Sequence, residues 1–212
     1  MLEINNLHLS RGEEDILKGV TFDIRLNHIV GIYGVASSGK TSIVEAILNF
    51  IEFSQGTIIY ENKKVAYNIP KHIAKLRKEI GYLPQKDYFL KSGKILENIQ
   101  WIGGISKESV IELANLVEIV DSLYLNIDEL TGYEKLKFKL ALSLVKEPQI
   151  LFIDEPLANI SPKYVDEFLE LVEKVAKMKK VGVLILSQYE KLFKNGLFDK
   201  VYRLEDGVLY GV

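Results

Sequence analysis

Apolar and polar residues take turns in LEINNLHLS (2–10) and GVTFDIRL (19–26), the period of strands with one face buried. HIVGIYG (28–34) is a short apolar run that reads as a buried strand. A glycine-rich loop and a helical pattern, KTSIVEAILNFIE (40–52), follow it. GTIIYENKKVAY (56–67) predicts a hairpin turning at Glu61 to Lys63, and PKHIAKLRKEIGYLPQ (70–85) a helix and then a strand. Helical patterns dominate from about 88 to 146, with KESVIELANLVEIVDSL (107–123) the clearest. The close alternates again: strand QILFID, helix SPKYVDEFLELVEKVAKM (161–178), strand VGVLILS, and a strand pair near KVYRL and GVLYGV.

Buried apolar strands alternating with helices imply an α/β fold with a mainly parallel sheet. The expectation is a single domain over 1–212, with N-terminal antiparallel strands. Its core takes 1–87 and 147–212, and a helical subdomain is inserted over about 88–146. At 212 residues the chain is long enough to bury a full core. The 27 basic residues nearly cancel the 29 acidic ones, so charge gives no reason to expect a nucleic-acid partner. With no cysteine, thiolate metal sites and disulfides are excluded. MLEINNLHLSRG lacks the basic start and apolar core of a signal peptide, and no apolar run approaches the roughly 20 residues that cross a bilayer. A cytoplasmic protein is expected, with any membrane crossing left to a partner.

The first chemical motif is GVASSGKT, Gly34, Val35, Ala36, Ser37, Ser38, Gly39, Lys40 and Thr41, followed by Ser42. It matches G-x-x-x-x-G-K-[ST] between a predicted strand and a predicted helix, the arrangement of the P-loop NTPases. Glycines let the backbone wrap a phosphate closely, and N–H groups at a helix N-terminus supply partial positive charge. Lys40 would bridge the β- and γ-phosphates of ATP, and Thr41 would offer its hydroxyl to Mg²⁺. The second motif, ILFIDEP, ends an apolar strand in Asp154 and Glu155. Asp154 would hold Mg²⁺ and Glu155 would polarise an attacking water.

The order of motifs resembles the ATPase domains of the ATP-binding cassette (ABC) transporter family over essentially the whole chain. IGYLPQ supplies the family's glutamine after a strand, Gln85, a metal and catalytic candidate. KDYFLKSGKILENI matches the linker into the helical subdomain, LTGYE (130–134) the signature, LANISP the loop after the acidic strand, and ILSQ the switch position, Gln188. The resemblance implies an ATPase subunit that dimerises head to tail, as a homodimer or a heterodimer, and drives a membrane-spanning transporter subunit. Each phosphate loop would be closed by the partner's signature helix, here at Thr131 and Gly132. Arg11 falls where the family often stacks an aromatic ring on adenine, and a guanidinium also lies flat on a base.

Four departures bear on hydrolysis. Tyr133 and Glu134 replace a glycine and a glutamine of the signature, and Gln188 replaces a histidine. Ser161 replaces an aspartate before Pro162, and Arg11 replaces the aromatic. A bulky Tyr133 would hold two subunits apart, and Glu134 would add negative charge near bound ATP. Thr131 and Glu134 also form a capping-box spacing, so this helix end reads equally as an ordinary cap. Leu136, Leu140 and Leu144 share one helical face and are core under both readings. The alternative function is a nucleotide-binding regulatory or scaffold subunit with little hydrolysis. A chromosome-type ATPase head would need long heptad helices, which are absent from the pattern. A GTPase would need an aspartate that NKKV (62–65) lacks.

Overall fold

Ten strands and six α-helices alternate as the patterns predict, in a computed structural model that describes residues 1–89, 92–157, 160–194 and 196–212. Leu90 and Lys91 of the expected linker, and Ala158 and Asn159 of the loop after the acidic strand, lie outside the described residues. Strands β1 (Leu2–Arg11), β2 (Glu14–Ile24), β4 (Gln55–Tyr60) and β5 (Lys63–Lys64) form an antiparallel sheet in the order β2-β1-β4-β5. The β4–β5 turn uses Glu61 and Asn62, both at positive φ, as a tight hairpin of matching twist requires.

The second sheet runs β10-β9-β3-β8-β7-β6, where β3 is Ile29–Tyr33, β6 Ile80–Leu83, β7 Ile150–Asp154, β8 Gly182–Ser187, β9 Lys200–Glu205 and β10 Val208–Gly211. The pairings among β6, β7, β8, β3 and β9 are parallel, and β10 is antiparallel to β9. Its central strands bury both faces, so their runs are apolar without alternation. Val30 and Ile32 of β3, Phe152 of β7 and Leu184 of β8 face a core shared with the antiparallel sheet and α1 (Lys40–Ile47). Leu151, Ile153, Val183 and Ile185 face the opposite core. That core is shared with α3 (Ile95–Gly103), α4 (Lys107–Leu116), α5 (Gly132–Leu144) and α6 (Val165–Lys179). Leu136, Leu140 and Leu144 are all buried there. The inserted helices and the sheet thus share one continuous apolar cluster.

Three elements are shorter than their patterns. Helix α1 ends at Ile47 rather than reaching Glu52, because Asn49 turns to φ 55°. The run 107–123 breaks after Leu116, where Glu118 takes φ 59° and a 3₁₀ turn at Val120–Ser122 follows. Pro162–Tyr164 is a 3₁₀ turn leading into α6, and the Ser161 side chain makes no capping hydrogen bond. Helix α2 (Pro70–Glu79) begins on its proline, whose missing N–H has no intrahelical partner to lose there.

Candidate functional site

Strand register gathers the motifs at one edge. Tyr33 at the end of β3 pairs with Ser187 of β8, and Asp154 at the end of β7 pairs with Leu186. The phosphate loop, the Asp154–Glu155 pair and the Ser187–Gln188 step therefore leave adjacent strands at their C-terminal ends. That is where open α/β sheets place their ligands.

Two glycines of the loop are required by geometry. A Cβ on Gly34 would lie 2.4 Å from the carbonyl oxygen of Leu204 on β9, and Gly39 stands at φ +100°. Helix α1 then begins at Lys40 with no side chain capping it and no acid in its first turn. Its first N–H groups are left for an anion. Lys40 is buried, and its Nζ donates to the carbonyls of Gly34 (2.8 Å) and Val35 (2.9 Å) while lying 3.5 Å from Oε1 of Glu155.

Thr41 donates from Oγ1 to Oδ2 of Asp154 at 2.8 Å, and Tyr82 of β6 donates to the same oxygen at 3.3 Å. Asp154 is 1% exposed, and its other oxygen, Oδ1, has no hydrogen-bond partner among the described residues. Burial pushes its carboxyl pKa up and the neighbouring Glu155 adds to this. The Thr41 and Tyr82 hydroxyls and the Lys40 ammonium pull the other way without cancelling the shift. A buried carboxylate with a free oxygen beside a threonine hydroxyl is a hard-donor pair suited to Mg²⁺.

Glu155 holds a left-handed backbone conformation, φ 47°, which costs a non-glycine residue free energy and persists only where surroundings impose it. Its N–H donates to the carbonyl of Leu186 at 2.9 Å. Its Oε2 accepts from the N–H of Gln188 (3.1 Å) and from the Ser187 hydroxyl (3.4 Å). The acid is thus aimed by β8 and by the residue at the switch position.

Above the loop opens a cleft of about 960 Å³ lined by Gly34, Val35, Ala36, Ser37, Ser38 and Gln188. Its outer wall is mostly acidic, with Glu13, Glu14, Asp15, Glu190, Glu205 and Asp206 against Lys18 and Arg203. Arg11 is not brought to this lining. Its guanidinium is 62% exposed and pairs with Glu45 of α1 at 3.4 Å. Ser42 is buried in α1 behind the loop. A second cavity of about 190 Å³ brings Gln85, Gly132 and Glu155 together.

The start of α5 is a complete capping box. Thr131 Oγ1 accepts from the N–H of Glu134 (3.3 Å), and the Glu134 carboxylate accepts from the N–H (2.9 Å) and hydroxyl (2.7 Å) of Thr131. Ser122 donates a further bond to Glu134, at 2.8 Å. The hydrogen bonds from Thr131, reinforced by Ser122, hold the Glu134 pKa below the usual carboxylate range, so a full negative charge sits at this helix end. Tyr133 does not project outward as a spacer would. It is 6% exposed and stacks on Tyr164 at 4.4 Å between ring centroids and 10° between planes. The ammonium of Lys137 lies 4.6 Å from the ring centroid on Tyr133. The ring therefore packs within its own subunit, against Tyr164, and does not stand clear of the surface.

Sequence reasoning missed Tyr82, Ser187, Tyr164 and Lys139, all in contact with predicted site residues or their segments. Lys139 alone left a signal, being the one charged residue in FKLALSLV (138–145).

A mainly parallel sheet whose strand ends carry a glycine cradle, a lysine, a threonine and two acids defines a P-loop nucleotide-binding protein. Residues 17–158 match the family model described as ABC transporter. The chain belongs to the ABC transporter family, as one of its ATP-binding, ATP-hydrolysing domains. It is 26% identical over 218 residues to an ABC transporter ATP-binding protein of Methanocaldococcus jannaschii, covering 99% of this chain and 84% of that one. It is 27% identical over 204 residues to the lipoprotein-releasing system ATP-binding protein LolD of Bdellovibrio bacteriovorus, covering 92% of each. Among solved structures, cbiO1 of Clostridium perfringens superposes with a TM-score of 0.89 at 22% identity, over 99% of this chain and 86% of that one.

Proposed function

We propose that the chain is the ATP-hydrolysing subunit of an ABC transporter, driving a separate membrane-spanning subunit through ATP-dependent closure of two ATPase domains. The observation that carries this reading is the junction of the phosphate loop with the acid pair, through the Thr41–Asp154 hydrogen bond and the Lys40–Glu155 ion pair. Lys40 exchanges the Gly34 and Val35 carbonyls for phosphate oxygens, and the uncapped start of α1 receives the same anion. Thr41 and the free oxygen of Asp154 fit Mg²⁺, with Gln85 as a further oxygen donor. Held by these residues, Mg²⁺ would supply neutralisation of the phosphate charge. Glu155 takes the proton of the attacking water, held in place by the Gln188 N–H, while the Gln188 amide donates to a phosphate oxygen. Arg11 reaches the base by leaving Glu45.

A dimeric bacterial ABC transporter cassette superposes with a TM-score of 0.84 over 100% of this chain, which supports a dimer, homomeric or heteromeric. Among the described residues no helix is long and apolar enough to cross a membrane. The reading assigns that task to a partner and stations this chain at the membrane's cytoplasmic face. The deciding experiment is Mg²⁺-ATP turnover over a wide protein concentration range, with Glu155→Gln as the blank. Turnover per chain that rises with concentration and vanishes in the blank supports a self-sufficient hydrolytic dimer.

One observation favours the second reading, a nucleotide-gated regulatory subunit. The Glu134 charge and the closed capping box leave the signature end poorly suited to a partner's γ-phosphate. Nucleotide binding with turnover no higher than the blank at every concentration would rule out a self-sufficient homodimer and leave a chain that needs a partner's signature helix or serves mainly as a nucleotide-gated subunit.

A further inference from the structure

Lys139 stands in the middle of α5 between Phe138 and Leu140, and only 8% of it is exposed. An ammonium in such a place carries a desolvation cost that a leucine or methionine would not. Its bonds show what that cost secures. Nζ donates to the backbone carbonyl of Gln85 at 3.1 Å and lies 3.5 Å from Oδ1 of Asp87. Two more contacts tie the same segment to the same helix. The Tyr88 hydroxyl donates to the Lys139 carbonyl at 3.1 Å, and the Phe89 ring meets Phe138 at 5.0 Å between centroids.

The residue whose carbonyl is held is the site glutamine itself. Gln85 is exposed and its side chain makes no hydrogen bond among the described residues, yet it shares the small cavity with Glu155 and Lys139. Its backbone is fixed from α5 while its amide stays free to engage a ligand. We propose that Lys139 is a positioning residue, anchoring the Gln85 segment to α5 and so setting where the Gln85 amide stands relative to Glu155. Burial pushes the Lys139 pKa down and the Asp87 carboxylate works against it, as a lysine buried beside one partly exposed carboxylate should show. The proposal rests on reading Gln85 as part of the hydrolytic site.

Lys139→Met keeps the length and apolar stem and removes the donor, while Lys139→Arg restores a cation. Amide order parameters of 85–89 in the whole ligand-free chain should fall from about 0.85, the value of rigid backbone, to about 0.6 or lower in Lys139→Met, with α1 and β7 unchanged. Mg²⁺-ATP turnover should fall about tenfold in kcat with KM changed less than about twofold, and Lys139→Arg should recover most of it. In a Gln85→Ala background, Lys139→Met should cost nothing further, because it acts through the residue already removed. Unchanged order parameters at 85–89, or losses from the two substitutions that multiply, would overturn the proposal. If Gln85→Ala alone leaves turnover intact, the catalytic reading of Gln85 falls, and the order parameters still decide whether Lys139 anchors the segment.

Discussion

Restoring the family's glycine at the signature should weaken this protein rather than activate it. Tyr133 is 6% exposed and stacked on Tyr164. Truncating a buried aromatic side chain costs about 3–5 kcal/mol, and an aromatic pair carries about 0.5–1.5 kcal/mol beyond its area. Glycine instead of alanine in the first turn adds up to about 1 kcal/mol. Because the Tyr133 hydroxyl is buried beside Glu167 with no hydrogen-bond partner among the described residues, we take the low end, about 3–4 kcal/mol. In a domain of this size each kcal/mol lowers the melting temperature by about 2–4 °C, so Tyr133→Gly should melt roughly 10 °C lower. Tyr133→Phe keeps the stack, removes the stranded hydroxyl, and should melt at or slightly above the parent temperature. Calorimetry on the three proteins, with Mg²⁺-ATP turnover measured well below the transitions, checks both halves of the argument. A Tyr133→Gly protein that melts like the parent and turns over ATP faster would refute it, showing that the ring is a spacer and not a core residue.

Three further outcomes follow from the site. Glu155→Gln should leave ATP affinity within about threefold while lowering turnover by at least about 100-fold, the range of a lost general base, as read by fluorescent-nucleotide titration and phosphate release. Lys40→Met should weaken ATP binding about 10–100-fold, since it removes a charged donor at the phosphate cradle, and the same titration measures it. Asp154 carries a native pKa above its unfolded value, so the folded chain binds the extra proton and this group's contribution to stability falls as pH rises through the native pKa. At neutral pH its charge is therefore a burden in the ligand-free protein. Asp154→Asn should melt higher than the parent at pH 7, lose that advantage at acidic pH below the native pKa, and show no stabilisation by Mg²⁺ beyond that of nucleotide alone.

The parts of this fold that were legible in the chain are those governed by short-range rules. GVASSGKT after a buried strand and before a helix leaves the backbone few choices, and ILFIDEP must end a central strand because its apolar run ends there. Parallel register then brings the two together without further information. What stayed illegible depends on partners distant in sequence or on backbone strain. Glu155 at φ 47° has no compositional marker, since the surroundings imposing it include the Leu186 carbonyl and the Gln188 N–H. The resemblance sets Arg11 where an aromatic ring would stack on a base, yet the guanidinium pairs with the Glu45 carboxylate, 34 residues away in sequence. The sequence shows the bulk of Tyr133 but not its direction, which is set by Tyr164, a residue that no local pattern connects to it.

The two helix ends that an ABC dimer brings to one ATP can be compared directly. At α1 there is no side-chain cap, no acid in the first turn and a lysine satisfied only by its own loop and Glu155, so a phosphate gains contacts that nothing else supplies. At α5 the Thr131 hydroxyl and the Glu134 N–H already serve each other, and the Glu134 carboxylate lies where the helix dipole would draw an incoming anion. A partner's γ-phosphate would have to displace that carboxylate and face its charge. On the proposed reading, binding at the chain's own phosphate loop and closure of a partner's loop are therefore separable properties. On the proposed dimer, the same Thr131–Glu134 pairing that makes α5 self-sufficient as a helix would make it a weaker half of a shared ATP site.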